Sequence, residues 1–171
     1  GGTSLKLSGG AVTFVTGLGH ESSSGSLTLE TPNAGLAGQS GSLTITSGTS
    51  SAGSSGPLTF TTGAATGGRG GSFSLTVGEG SKEQATGGDL SITAGRTFDT
   101  EASGGVITLT TGFGFETSSG RLNIGTANAG IAGVGGVISV ASGTSSGGDS
   151  GSVSLTTGHA TGGRGGSVLI Q

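Results

Sequence analysis

Apolar residues along this chain come in pairs two positions apart, and the pairs return about every fifteen residues. They are Val12/Phe14, Leu27/Leu29, Leu43/Ile45, Leu58/Phe60, Phe73/Leu75 and Leu90/Ile92, then Ile107/Leu109, Leu122/Ile124, Ile138/Val140, Val153/Leu155 and Val168/Ile170. Alternation over four or five residues, rich in β-branched and aromatic types, predicts a half-buried strand. Residues two apart share one side of a strand, so each pair is expected to face one interior. Gly-Gly and Ser-Gly doublets close each unit and predict turns in which glycine takes positive φ without a Cβ penalty. No stretch carries an apolar stripe of helical period, so no helix is expected.

The unit reads x-Φ-[ST]-Φ-x-[TS]-G, then a Ser/Gly/Thr-rich tract, then a closing doublet. Six units of 15, 16, 15, 15, 17 and 17 residues form a super-unit of 95 residues over 11–105, and a second, incomplete copy covers 106–171. Shifting 11–76 by 95 residues onto 106–171 leaves 35 of 66 positions identical. Self-similarity of this kind dictates architecture before any local motif does.

A propeller needs four strands per blade, and these units are too alike individually. The pattern therefore predicts an all-β chain, a single continuous β-solenoid (β-helix) over 1–171 with about eleven rungs of 15–17 residues. Rungs stacked about 4.8 Å apart align the pairs into ladders, and six rungs advance roughly 29 Å. Ala34, Ala52, Ala65 and Ala129 are the expected inward residues of the opposite wall, making a thin coil. The longer units carry Glu79, Lys82, Glu83, Arg96, Asp99 and Glu101, whose extra length should bulge as loops. Leu5/Leu7 looks like one more strand pair, though too close to Ala11 for a full turn. No polar cap is evident at either end, which predicts a longer parent array or end-to-end stacking. On this reading Leu43→Asp buries a lone charge and destabilises the coil.

Composition changes the picture in two ways. With 42 glycines and no Cys, Met, Trp or Tyr, the chain approaches the compositions that stay disordered. A net charge of only −3 and the phasing of the apolar residues oppose that outcome. Zero cysteines exclude disulfides and thiolate metal sites. The lack of basic clusters argues against nucleic acid. Without an initiator Met, a signal-like apolar region or a run near eighteen apolar residues, the chain reads as a mature or excised piece with no membrane span.

Candidate chemistry is sparse. GTSSG at 143–147 formally matches the G-x-S-x-G nucleophile elbow at Ser145, but it lies in a Ser/Gly tract and its counterpart reads GTSSA, ending at Ala52. His20 and His159 correspond to Phe115 and Ala64 in the other copy and belong to separate units. Asp89 and Asp149 are isolated, which does not make a calcium-binding β-roll. No phosphate-binding glycine loop or N-glycosylation triplet occurs, so no catalytic residue, cofactor or metal is expected. Arg69/Arg164 and Glu21/Glu116 recur between copies and read as solvated turn residues.

The hydroxyl rows are the one candidate surface. Thr44, Thr46, Thr59, Thr61, Thr76, Thr93, Thr108 and Thr110, with Ser74 and Ser91, occupy the third and fifth positions of their units. Stacked, they would form a flat face that resembles the TxT face of β-helical ice-binding proteins; Val15, Glu30, Asn123, Gly125 and Ala141 interrupt it. Ice or carbohydrate binding is the alternative function.

Stretches such as SGSLTITSG at 40–48 and TGGRGGS at 66–72 resemble the Gly/Ser/Thr-rich repeat arrays of large extracellular proteins from algae and other protists. That resemblance implies a secreted or surface fibre component. The expectation is a non-enzymatic structural protein, extracellular or at the cell surface, which self-associates end to end or laterally and has glycans as its other candidate partner.

Overall fold

In most repeats the sixth residue and the last come together, closing the residues between them into a loop on a narrow neck. The computed structural model describes residues 9–81 and 86–171. Among them there is no helix and no β-strand; the expected β-solenoid is not formed. What replaces it is a series of five-residue arms joined by necked loops, with one bend near each loop apex at 20–22, 36–38, 51–53, 66–68, 100–101, 115–117, 131–132, 146–148 and 161–163. The apex of the fifth loop lies in the undescribed stretch 82–85, together with Lys82 and Glu83, and Leu5/Leu7 also falls outside the described residues.

The necks are built from backbone and hydroxyl groups. Among the described residues the Gly25, Gly88, Gly105 and Gly120 amides donate to the carbonyls of Gly17, Gly78, Gly95 and Gly112 at 2.9, 3.2, 2.8 and 2.9 Å. Threonine hydroxyls add a second latch, Thr16 Oγ1 to the Gly25 carbonyl at 2.9 Å, Thr31 to Gly41 at 3.0 Å and Thr126 to Gly136 at 3.1 Å. The closing residue is glycine because the two chain segments approach so closely. A β-carbon on Gly25 would stand 3.2 Å from Thr16 Cβ, and one on Gly136 only 2.9 Å from Thr126 Cβ. None of the ten closing glycines, from Gly25 to Gly166, holds a positive φ, which corrects the expected turn chemistry: at Gly25, Gly41, Gly88, Gly105, Gly120 and Gly136 it is space, not left-handed backbone, that demands glycine.

The third repeat of each copy closes differently. A β-carbon on Gly56 would meet nothing within 4 Å, and one on Gly151 lies 3.7 Å from Ser142 Cβ. In these two loops the bend itself is clasped, by Ser50 Oγ accepting from the Gly53 amide and Ser145 Oγ accepting from the Gly148 amide, both at 3.0 Å.

Across the neck at Thr62 and Gly71, the two neighbouring arms run back along one another rather than stacking turn over turn. Phe60, fourth in its arm, meets Phe73, second in the next, with ring centroids 6.3 Å apart and planes inclined by 37°. Thr62 and Gly71 at the neck, then Phe60 and Phe73 further out, keep one antiparallel register. A solenoid would have set Phe60 over Leu75, its counterpart in the following unit. Within an arm the period of two survives locally: Ser74 Oγ and Thr76 Oγ1 lie 3.4 Å apart on one side.

No described side chain is buried, and this overturns the expected interior. Ala34, Ala52, Ala65 and Ala129 are exposed rather than inward. The physical reason is composition. Ordering each residue costs about 1–2 kcal/mol, and a net exposed hydrogen bond returns only about 1 kcal/mol. Two apolar side chains per fifteen residues, opposed by glycine, serine and alanine, offer no second wall against which to bury. The chain divides into two units, Gly1–Gly88 and Asp89–Gln171. Their boundary coincides with the end of the fifth repeat, at the closing Gly88, and not with the end of the 95-residue super-unit.

Candidate functional site

Two kinds of surface emerge, one on the loops and one on the arms. On the loops stand the charged groups. Arg69 and Arg164 precede their closing glycines and are exposed, as are Glu21, Glu116, His20 and His159. The sixth loop has the most internal structure. Asp99 N donates to Thr97 Oγ1 at 3.1 Å, Glu101 N donates to Asp99 Oδ1 at 2.9 Å, and the Arg96 guanidinium lies 4.9 Å from the centroid of the Phe98 ring. An exposed cation–π contact of this kind is worth about 0.5–1 kcal/mol. It shapes the loop without enclosing a ligand.

The arms carry almost no charge: Glu30, Asp89 and Arg121 are the charged arm residues from Ala11 onward. Each arm instead presents its apolar pair and its hydroxyls to solvent. Leu58, Phe60, Phe73 and Leu75 form the one described place where arms from two repeats meet through aromatic rings. Even in contact, Phe60 stays 61% exposed and Phe73 67%.

The eight threonines of the candidate face, Thr44, Thr46, Thr59, Thr61, Thr76, Thr93, Thr108 and Thr110, are exposed on their separate arms. Among the described residues no side-chain hydrogen bond links any one of them to another; Thr76 pairs with Ser74 of its own arm. Ser145 is occupied as the acceptor of the Gly148 amide, and Ser50 does the same for Gly53 where no elbow motif exists. Among the described residues no three acidic or histidine side chains gather, and there is no enclosed cavity. No described helix is long and apolar enough to cross a membrane.

Reasoning from sequence missed the necks. Their signal was nonetheless present: Thr16, Thr31, Ser47 and Thr62 reappear unchanged as Thr111, Thr126, Ser142 and Thr157, and every closing glycine of 11–71 reappears too. The arms, by contrast, exchange one apolar residue for another between copies at every paired position except Leu27/Leu122. No family model matches the chain, and neither a curated protein nor a solved structure shows significant similarity to it.

Proposed function

We propose that this chain is a non-enzymatic structural protein, a component of an extracellular or cell-surface fibre, whose apolar surface is covered between copies rather than within one. The observation that carries the reading is repetition without a core. The same arm and closing glycine recur from Ala11 to Gly166, and no described side chain is buried. A sequence that repeats one small shape supplies many equal contacts, as a fibre requires, whereas a catalyst needs one unequal cluster. The segregation of charge supports it further: solvated loops alternate with nearly uncharged arms, so like surfaces meet without repulsion. The likeness of SGSLTITSG and TGGRGGS to extracellular repeat arrays supports the location.

The test is assembly. Full-length chain is expected to pass from monomer to elongated particles as concentration rises, seen by sedimentation velocity and negative-stain electron microscopy. A chain that stays monomeric across the accessible concentration range would refute the reading.

A further inference from the structure

We infer that the arginine loops at 62–71 and 157–166 of one copy pair with the glutamate loops at 16–25 and 111–120 of a second copy, slipped by three repeats. The inference rests on the fibre reading above and deepens it by naming the contact that sets the stagger between copies.

Three observations converge on these loops. First, of the charged residues in the matched stretches 11–76 and 106–171, one acid and one base survive the duplication: Glu21 as Glu116 and Arg69 as Arg164. Glu30 is answered by Gly125, Arg121 by Ser26 and Asp149 by Ser54, so charge as such is not retained. The run around the base, 65–72 against 160–167, is the longest unbroken identity between the copies.

Second, the surviving charges alternate in sign at an even interval. Glu21, Arg69, Glu116 and Arg164 follow one another at steps of 48, 47 and 48 residues, three repeats each time. Two copies in register would set like charge against like. A slip of three repeats sets each overlapping arginine loop against a glutamate loop and leaves one charged loop open at either end, so that a third copy can join. Turning the second copy end for end also opposes the signs, but it uses every loop at once and closes at two copies, which a fibre cannot do. Each of the units Gly1–Gly88 and Asp89–Gln171 carries one loop of each sign, so either can both offer and accept.

Third, the groups are presented to a partner. All four side chains are exposed, and among the described residues none takes part in a side-chain hydrogen bond. Glu21 and Glu116 lie within the bends at 20–22 and 115–117, and Arg69 and Arg164 directly follow the bends at 66–68 and 161–163. The glycines before the arginines stand in open space: a β-carbon on Gly67, Gly68, Gly162 or Gly163 would meet nothing within 4 Å. A planar guanidinium left this accessible can take a carboxylate through two parallel N–H···O bonds.

Number sets the strength. A single exposed ion pair is weak and is screened by salt. One such pair does not hold two copies together; it selects the stagger, and its effect accumulates as several loops engage at once. The loops set the register, and the arms between them supply the apolar surface that assembly covers.

The experiment compares the full chain with an all-acid variant, Arg69→Glu/Arg164→Glu, and an all-base variant, Glu21→Arg/Glu116→Arg, by sedimentation velocity over a concentration series. Interference optics are needed because the chain has no Trp or Tyr. Each variant alone is expected to need at least tenfold higher concentration than the parent for half-association, and their equimolar mixture to recover most of the loss. Recovery on mixing can come only from pairing between chains. The fourfold variant that reverses all four residues keeps the parent's net charge and its alternation, and should associate as the parent does. If the parent associates and the Arg69→Glu/Arg164→Glu chain does so equally well, the contact is refuted while the fibre reading stands. Two variants that each fail alone and still fail when mixed also overturn it. If the Arg69→Glu/Arg164→Glu chain associates normally but loses retention on an immobilised sulfated polysaccharide, the arginines serve a polysaccharide and the contact between copies is overturned. A monomeric parent sinks both.

Discussion

Thr16 and Gly25 are latched twice: the threonine hydroxyl donates to the glycine carbonyl at 2.9 Å, and the glycine amide donates to the Gly17 carbonyl, also at 2.9 Å. The two bonds run in opposite senses, one from side chain to backbone and one from backbone to backbone, so they fix both the distance and the direction of the returning chain. Thr31 with Gly41 and Thr126 with Gly136 repeat the hydroxyl half of this arrangement.

Replacing Thr16 by valine keeps the shape of the side chain and removes the donor. Loss of one exposed hydrogen bond costs about 0.5–1 kcal/mol. The Gly25 amide is therefore expected to exchange its hydrogen several-fold faster in Thr16→Val than in the parent, with Thr16→Ser close to the parent. Amide exchange followed by NMR checks this.

Glycine at the neck is a matter of room, so its replacement should depend on position. Gly136→Ala places a methyl 2.9 Å from Thr126 Cβ, and the neck must open to admit it. Gly56→Ala meets nothing within 4 Å. Broadening or loss of contacts between 126 and 136 is expected in the first variant, and an unchanged spectrum around Ser47 in the second.

The period of the repeats, the positions of the loops and the exposure of the charged groups were all legible in the sequence. The strands were not formed, although the alternation of Leu43, Thr44, Ile45 and Thr46 fits one well. Alternation states which side chains share a side; it does not supply a wall for that side to face. Here the facing material would have been Ala34, Ala52 and their neighbours, too small to complete a core. The doublets do not form the bends, which fall earlier, at 20–22 and 36–38 for instance; they close the necks, where Gly25 and Gly41 are needed for the threonine beside them, not for positive φ. A reader attending to which residues survive the duplication unchanged, rather than to which are apolar, would have found Thr16 and Gly25.

Leu43 illustrates the revised energetics. A charge introduced into a core is severely destabilising, but Leu43 is 60% exposed. Leu43→Asp is expected to leave the far-ultraviolet spectrum of dilute chain unchanged, within the ±0.5 kcal/mol or so typical of surface substitutions. It should weaken association instead, because every copy then brings a like charge to an arm.

Ser50 and Ser145 hold the bends of the two loosely necked loops. Ser145→Ala is expected to accelerate exchange at Gly148, and Ser50→Ala at Gly53, by similar factors. Labelling by a serine-directed fluorophosphonate is not expected at either position, and reaction at Ser145 alone would contradict the structural role given to it.

A closure defined by its two ends leaves its interior unconstrained. The loops at 78–88 and 95–105 are longer than the nine-residue loop at 17–25, yet Gly88 and Gly105 find Gly78 and Gly95 as Gly25 finds Gly17. Foreign peptides spliced at an apex, beside Leu36 or Ile131 for instance, would inherit the same footing and be held clear of the arms. The molecule is in this respect a display scaffold, with an insertion point at each tightly necked loop.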